Sequence, residues 1–284
     1  MPQKHLNLLF PQWQGNTEKS PLHGADELEK IYFASLRQEF PHTPPLSSIN
    51  VCSNDLLELK NNIKGHAQIK KQFEAVFKLL DSNNPDTIFT LGGGCDAGLP
   101  SIVWLNKKYA GDLAVVWLDA HADMNTPETT PSGMFCGMPT AALMGFGDQE
   151  LIELLPSTLN PRQLLLGGVR TLDAAEASLI KNHGLRLISV TNIEDDPNYL
   201  VGALHAMNYK HVYIHLDLDV LDPQSFPNTP FPEPCGLSQK NLLVAIMAML
   251  TSFKTVGMGV FEYAPAGGKK TEWMETIMRL GINL

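Results

Sequence analysis

Cysteine is scarce in this sequence, and the few that occur form no recognisable pattern. The 284 residues include four cysteines, none of them in a C-x-x-C pair. In a chain of this length, isolated cysteines are expected to be reduced thiols, so we predict a cytoplasmic protein rather than a disulfide-stabilised secreted one. The first residues, MPQKHLNLLFPQWQ, contain no long apolar core, so no signal peptide is expected.

Positive charge and long apolar runs are also in short supply. Lysine and arginine total 21 against 30 acidic residues, which gives a net charge of -9. An acidic surface argues against nucleic acid or an anionic membrane as a partner. No run approaches the ~18 apolar residues of a membrane span. Without a composition shift or a linker, the sequence predicts one domain over residues 1–284.

Short, almost continuously apolar runs recur along the chain. Such runs are typical of strands that are covered on both faces, as in a parallel sheet. The predicted strands are LNLLF from Leu6, TIFTL from Thr87, LAVVWL from Leu113, QLLLGGV from Gln163, LRLISV from Leu185, HVYIHLDL from His211 and VGMGVF from Val256.

Helical patterns lie between most of these strands. They are GADELEKIYFASLRQEF, a long segment near 56–80, LDAAEASLIKNHG, which ends at Gly184, and LSQKNLLVAIMAMLTSF, with Ser238 as its N-cap. The alternation predicts an α/β protein with a doubly wound, mostly parallel sheet between two helical layers. In such sheets, sites lie beyond the carboxyl ends of the strands. The polar loop Asn125–Met138 is long enough to suggest a functional role.

Two predicted strands end in closely spaced acidic residues. The sequence WLDAHAD places Asp119, His121 and Asp123 on one side of an extended segment, and HLDLD does the same for Asp217 and Asp219. A single D-x-D is commonly a turn or cap motif. Both motifs together after buried strands favour a site for two divalent cations, with Mn²⁺ the best match to a mostly oxygen donor set. By contrast, we expect Asp222 to structure a loop and His215 to be a core histidine.

These residues resemble a known family. The segments DAHADMNTPETTPSG and HLDLDVLDPQSF are similar to signatures of the arginase/agmatinase/formiminoglutamase family, the ureohydrolases, and the resemblance extends from about Leu91 to Glu262. It implies a three-layer α/β/α fold, two Mn²⁺ ions and hydrolysis of a guanidino C–N bond. It also implies metal-binding roles for Cys95, Asp119, His121, Asp123, Asp217 and Asp219, with Asp123 orienting the nucleophile.

The sequence departs from the family at two cysteines. Cys95 stands where the family usually has a metal-binding histidine, and its soft sulfur would make one site more tolerant of Zn²⁺ or Fe²⁺. Asp96 as the ligand and a vacant position stay open as alternatives. Cys136 stands where arginases have a histidine described as a proton shuttle, and Met134 replaces a neighbouring asparagine. Pairing of the two cysteines in a redox sensor is a further possibility.

Other positions agree with arginases. The resemblance assigns Asn125 and Ser132 to the substrate α-carboxylate, Asp173 and Glu176 to its α-amino group, and Glu262 to the guanidinium. A planar guanidinium suits a buried carboxylate. On the structural alternative, Asp173 and Glu176 are acids favoured in the first turn of a helix, and Asn125 and Ser132 are turn formers.

The sequence therefore predicts a dinuclear metal hydrolase that acts on arginine or a close derivative to release urea or a substituted urea. The alternatives are an Nω-hydroxyarginine hydrolase, an agmatinase or formiminoglutamase, and a degenerate non-catalytic family member. The first is included because a subgroup of that kind in D-cycloserine biosynthesis also resembles this chain at Cys95 and NTPETT. The family resemblance also implies a homo-oligomer with a small-molecule substrate.

Overall fold

The architecture is described by a computed structural model that covers residues 3–265 and 270–284. The strands are β1 His5–Phe10, β2 Leu46–Ser48, β3 Leu59–Lys60, β4 Ile63–Lys64, β5 Thr87–Gly92, β6 Leu113–Leu118, β7 Leu164–Gly167, β8 Arg186–Ile188, β9 His211–Asp217 and β10 Lys254–Phe261. The α-helices are α1 Ser20–Glu27, α2 Ala34–Glu39, α3 His66–Asn83, α4 Leu99–Lys108, α5 Pro139–Leu143, α6 Gln149–Ile152, α7 Ala174–His183, α8 Val190–Asp195, α9 Tyr199–Met207, α10 Gln239–Ser252 and α11 Glu272–Gly281.

The main sheet has eight strands in the order β2-β1-β5-β10-β9-β6-β7-β8. Every neighbouring pair in it is parallel. All seven predicted strands are confirmed, and β2 adds an edge strand that the sequence did not reveal. The four central strands, β5, β10, β9 and β6, are adjacent and parallel. Their carboxyl ends therefore lie together at one edge of the sheet, where α/β proteins bind ligands.

The sheet is covered on both faces, which confirms the predicted three-layer architecture. One core lies against α3 and α4 and contains Phe73 and Ile102. The other lies against α10 and α11 and contains Leu242 and Ile277. Successive residues of a strand enter opposite cores, as their alternating direction requires.

The helix predicted over residues 56–80 is wrong at its beginning. Strands β3 and β4 form an antiparallel hairpin there, and α3 begins only at His66. The two residues between the strands, Asn61 and Asn62, have φ of 51° and 58°, which suits the tight turn of a two-residue hairpin. Gly65 precedes α3 with φ of 69°, so the chain cannot continue as a helix through this point.

The other helical predictions are confirmed. The first helical segment is α1 and α2 joined by a π-helical turn at Leu28–Phe33. Gly184 ends α7 in the left-handed conformation. Ser238 caps α10 through its side chain, which accepts a hydrogen bond from the Asn241 backbone N–H. Within the described residues, no helix combines the length and apolar character needed to cross a bilayer.

Candidate metal centre and active site

A cavity of about 330 Å³ lies at the carboxyl ends of the central strands. It collects residues from the ends of β5, β6, β9 and β10 and from the long loop after β6. Its lining consists of Cys95, His121, Asp123, Asn125, Ser132, Met134, Cys136, Gly137, Thr171, Asp173, Glu176, Asp217, Asp219, Phe231, Pro232, Glu233 and Glu262. Seven of these residues carry carboxyl groups and none is lysine or arginine, so the cavity suits a cationic ligand.

The end of β6 supplies three of the predicted ligands. Asp119 is fully buried; its Oδ1 accepts from the His121 backbone N–H at 2.6 Å and its Oδ2 from the Trp117 indole N–H at 2.9 Å. The Nδ1 atom of His121 lies 2.9 Å from Asp219 Oδ2 and 3.5 Å from Asp119 Oδ1. These hydrogen bonds fix the side chains on the cavity side of the strand end.

Asp123 differs from its neighbours because part of its carboxylate has no protein partner. Its backbone adopts φ of 52°, which is strained for a residue with a side chain. The Asp123 carbonyl accepts from both the backbone N–H and the hydroxyl of Thr140. Its Oδ2 is buried without a hydrogen bond within the described residues. A buried, unpaired carboxylate oxygen held in a strained conformation is characteristic of a functional group awaiting a ligand.

The end of β9 brings the other two aspartates into the same cluster. Asp217 Oδ1 accepts from the Asp219 backbone N–H at 2.7 Å. Asp219 Oδ1 accepts from the Ala120 backbone N–H at 2.9 Å, which ties the end of β9 to the end of β6. Asp222 structures the following loop as predicted, since its carboxylate accepts from the backbone N–H groups of Gln224 and Gly236.

Cys95 lies inside this cluster. It opens a 3₁₀ turn, Cys95–Gly98, directly after β5. Its Sγ is 2.9 Å from Asp217 Oδ2 and 3.6 Å from Asp119 Oδ2. The side chain is buried, and burial together with the surrounding carboxylates raises the pKa of the thiol well above its usual value. In the metal-free protein the sulfur is therefore a thiol, and a bound cation would be needed to hold it as a thiolate.

Asp96 points elsewhere. Its Oδ2 accepts from the Gln12 amide at 2.5 Å, and its carboxyl group fills the space that a side chain at Gly15 would need. Burial raises its pKa to about 7. Asp96 is absent from the cavity lining, so the geometry favours Cys95 over Asp96 as the ligand at this position.

The donor set fits a pair of divalent cations. Potential ligand atoms lie within 4.8 Å of one another in three overlapping groups: Cys95, Asp119 and His215; Cys95, Asp217 and Glu262; and Asp119, His121 and Asp219. Burial and mutual repulsion raise the pKa values of Asp123 and Asp217 well above the ordinary range and that of Asp219 to about 6. Positive charge placed among these groups would remove both penalties.

Glu262 lines the cavity next to the candidate metal ligands Cys95 and Asp217. It follows β10 directly and has φ of 57°. Both of its carboxylate oxygens accept from the Asn16 amide, at 2.8 and 2.6 Å, and Oε1 also accepts from the Cys95 backbone N–H at 2.9 Å. Burial, ahead of repulsion from nearby acids, raises its pKa well above the usual range. This fixed, buried carboxylate is a suitable partner for a guanidinium.

The residues predicted to recognise an amino acid group all line the cavity, and some have structural roles as well. Asp173 and Glu176 form the capping box of α7, and Glu176 also accepts from the Met124 backbone N–H at 3.0 Å. The Asn125 amide donates to Asp173 Oδ2 at 2.9 Å. Ser132 Oγ accepts from the Met134 backbone N–H at 3.2 Å. Asp173 and Glu176 therefore have the predicted structural role at the start of α7 and also line the cavity.

Cys136 lines the same cavity from the loop after β6. It belongs to the 3₁₀ turn Phe135–Gly137, and its backbone N–H donates to the Gly15 carbonyl at 3.3 Å. Burial, followed by repulsion from Glu262 and Asp123, raises the pKa of its thiol well above the usual value. Cys136 thus presents a buried, neutral thiol to the cavity.

Sequence reasoning missed several contributors to the site. The buried amides of Gln12 and Asn16 hold Asp96 and Glu262. Glu233 places its Oε1 3.7 Å from His121 Nε2 at the cavity wall. The amide-rich run QWQGN after β1 was an available signal for the first two. Nothing local marks Glu233.

His215 is buried as predicted, but its ring nitrogens are not both satisfied. Nε2 lies 3.4 Å from Cys95 Sγ, and Nδ1 is without a partner within the described residues. Burial lowers the pKa of the ring to about 3, so His215 is neutral. Its position on the same face of β9 as Asp217 was visible in the sequence.

Comparison with known proteins identifies the family. Residues 18–280 match the family described as the Arginase family. This chain belongs to the arginase family. An arginase of Staphylococcus aureus (strain MRSA252) is 32% identical over 213 residues, covering 72% of this chain and 70% of its own. An arginase of Entamoeba histolytica is 27% identical over 280 residues, covering 93% and 91%.

Solved structures show the same fold. The Entamoeba histolytica arginase in complex with L-ornithine superposes with a TM-score of 0.85 at 24% identity, covering 98% of this chain and 97% of that one. The Bacillus caldovelox arginase gives 0.85 at 23% identity, covering 98% and 96%. The arginase-family chain is accordingly an enzyme of the metal-dependent hydrolase class that cleaves C–N bonds of linear amidines, and the family uses a dinuclear metal centre.

Proposed function

We propose that this enzyme hydrolyses the guanidino C–N bond of arginine or a close derivative that keeps its α-amino acid group, with Mn²⁺ as the preferred metal. The observation that carries the proposal is Glu262, a buried carboxylate that lines the cavity and is held by Asn16 and the Cys95 backbone. A guanidinium placed against Glu262 would sit beside the cluster formed by Cys95 and Asp217, because these ligand atoms lie within 4.8 Å of one another.

The metal ligands in this proposal are Cys95, Asp119, His121, Asp123, Asp217 and Asp219. When bound, two divalent ions supply a hydroxide nucleophile at neutral pH and neutralise the developing negative charge. Asp123, whose Oδ2 has no protein partner, accepts a hydrogen bond from the nucleophile and orients it toward the guanidino carbon. Glu262 holds the guanidinium plane in position.

The outer part of the cavity supports an intact α-amino acid. Asp173 and Glu176 offer carboxylates to an ammonium group, and Asn125 and Ser132 offer neutral donors to a carboxylate. One Asn125 amide hydrogen is used by Asp173, which leaves the second for a ligand. The L-ornithine bound to the Entamoeba histolytica arginase is an amino acid of this kind. Agmatine lacks the carboxylate and formiminoglutamate lacks a full guanidinium, so both suit the cavity less well.

Cys136 favours a second candidate substrate, Nω-hydroxyarginine. A buried neutral thiol is a poor proton carrier at neutral pH because its pKa is raised further by burial. Both substrates release the same δ-amine, which must take a proton. The hydroxyguanidine group is less basic than guanidine and gives up its own proton to the leaving amine more readily, so its cleavage would depend less on a proton shuttle. The oligomeric state, the single-domain organisation and the cytoplasmic setting stay predictions from the sequence.

A release assay tests the proposal and separates the two substrates. Urea and hydroxyurea are measured with the Mn²⁺-loaded enzyme on arginine, Nω-hydroxyarginine, agmatine and formiminoglutamate. Turnover of arginine or its hydroxy derivative well above the other two is expected, and Glu262→Gln should reduce it by about 10²-fold or more. In Cys136→His, turnover of arginine should rise relative to Nω-hydroxyarginine. Fully metal-loaded protein that turns over none of the four would overturn the proposed substrates.

A further inference from the structure

The ring of His215 is enclosed by a stack of aromatic side chains beneath the metal cluster. Trp117 on β6 stacks on one face with a centroid distance of 3.3 Å and an interplanar angle of 5°. Phe261 on β10 stacks on the other face at 4.2 Å and 9°. Three neighbouring strands therefore fix the plane of the imidazole.

Glycine makes room for this arrangement. A side chain at Gly98 would begin 2.9 Å from His215 Nδ1 and 2.8 Å from Phe261 Cζ. Gly98 closes the turn that Cys95 opens, so this turn lies directly against the imidazole. The stack and the cysteine turn are thus built against each other.

The contact between the stack and the cluster is specific to one pair of atoms. His215 Nε2 lies 3.4 Å from Cys95 Sγ, within the range of a hydrogen bond to sulfur. Nδ1 has no hydrogen-bond partner among the described residues, which agrees with a neutral ring that carries its proton on Nε2. Sγ in turn lies 2.9 Å from Asp217 Oδ2. The chain of contacts runs from the imidazole through the sulfur to the carboxylate.

We propose that His215 is the positioning residue for Cys95: its Nε2–H donates a hydrogen bond to Sγ, orients the sulfur toward the metals and reduces its donor strength. The inference rests on the proposed metal centre. Hydrogen bonds of this kind from residues behind a ligand orient it and tune the metal. Here the buried imidazole would support the thiolate that replaces the histidine usual in the family.

Cobalt-substituted protein tests this role without reference to turnover. Metal-free enzyme is titrated with Co²⁺, and the metal content, the affinity and the thiolate-to-cobalt charge-transfer band are recorded. Wild type should bind two Co²⁺ per chain and show the band, and Cys95→Ala should abolish the band. His215→Phe keeps the aromatic stack but lacks the N–H, so the sulfur becomes a stronger donor and the band should move to lower energy. The affinity should fall about 10–100-fold because Sγ is no longer held toward the metals.

Two further variants keep the test decisive. His215→Gln retains a donor and should recover part of the wild-type band position. Tyr213→Phe changes another buried residue of β9 and should leave the band unchanged. A His215→Phe protein with wild-type band and affinity would make His215 a packing residue and overturn the inference. Loss of one Co²⁺ from His215→Phe, with both retained in Cys95→Ala, would make His215 a direct ligand and also overturn it.

The failure of this inference can be told apart from failure of the proposed function. Suppose that wild type binds two Co²⁺ and His215→Phe shows the expected band shift, but the Mn²⁺-loaded wild type releases no urea or hydroxyurea. This result would support the role of His215 and reject the proposed substrates. The reverse result is full turnover by the wild type together with the same charge-transfer band in wild type and His215→Phe. It would support the activity and reject the positioning role.

Discussion

Asp148 is buried, as are Asp123 and Asp217 near the carboxyl ends of β6 and β9, but Asp148 differs from these two in the donors that surround it. His66 Nε2 lies 2.8 Å from Asp148 Oδ1, and the Asn61 amide donates to Oδ2 at 2.6 Å. The Leu151 backbone N–H adds a third contact at 3.0 Å. Although burial opposes them, these partners lower the pKa of Asp148. At the strand ends, burial and repulsion instead raise the pKa values of Asp123 and Asp217.

The difference shows which region is complete without a ligand. Asp148 joins α3 and α6 to the hairpin, and this hairpin contacts the long active-site loop, where Lys64 N–H donates to the Gly133 carbonyl. The Asp148 carboxylate is satisfied by hydrogen bonds within the protein, and these contribute to stability. No lysine or arginine lines the cavity to balance Asp123 and Asp217, so the ionised forms of these two carboxyl groups become favourable only when metal binds. Substitutions should therefore have opposite effects on stability in the two regions.

The largest expected effect is that of Asp123→Asn. Turnover by Mn²⁺-loaded protein should fall by about 10²–10⁴-fold, because the variant loses the carboxylate that orients the nucleophile. The metal-free protein should become more stable, since a carboxylate whose pKa is raised by one unit costs the folded state about 1.4 kcal/mol when ionised. Urea release and denaturant unfolding in chelator measure the two effects. A variant that is less stable than wild type in chelator would contradict our account of the cluster.

The next effect is that of Asp148→Asn, which should destabilise the protein with or without metal. The amide cannot accept the same hydrogen bonds, and loss of a charged acceptor from a buried network costs about 1–3 kcal/mol. Unfolding free energies in chelator and in Mn²⁺ should fall by similar amounts. Destabilisation confined to one of the two conditions would mean that Asp148 and the metal cluster are coupled.

The contribution of Asp148 to stability should be lost in acid. A depressed folded-state pKa gives stability that is complete above the unfolded pKa of about 3.9 and is lost as the pH falls through the folded value. The difference in unfolding free energy between wild type and Asp148→Asn should therefore be constant above about pH 5 and shrink below about pH 4. Denaturant unfolding of the two metal-free proteins in buffers from pH 7 to 3 measures this difference. A difference that grows on acidification would mean that the folded-state pKa of Asp148 is raised rather than lowered.

The strands and the metal motifs could be predicted because their signals are local. An apolar run gives a buried strand, and Asp119, His121 and Asp123 follow one at alternate positions. The support for Glu262 could not be predicted in this way, because Asn16 lies 246 residues away in the chain. The stack on His215 likewise depends on β6 and β10 flanking β9. The hairpin was missed although its turn carries a local signal: asparagine tolerates positive φ, and Asn61 and Asn62 are adjacent.

The smallest effect is expected for Glu150→Gln. Glu150 lies in α6, close to the N-cap residue Asp148. Glu150 pairs with Lys60 and Lys70, and its side chain is 41% exposed. Exposed ion pairs contribute little because water screens them and their side chains lose rotational freedom. The unfolding midpoint should match wild type within replicate scatter, in low and in moderate salt. If Glu150→Gln destabilised the protein as much as Asp148→Asn, the hairpin would be held mainly by its surface charges rather than by the buried carboxylate.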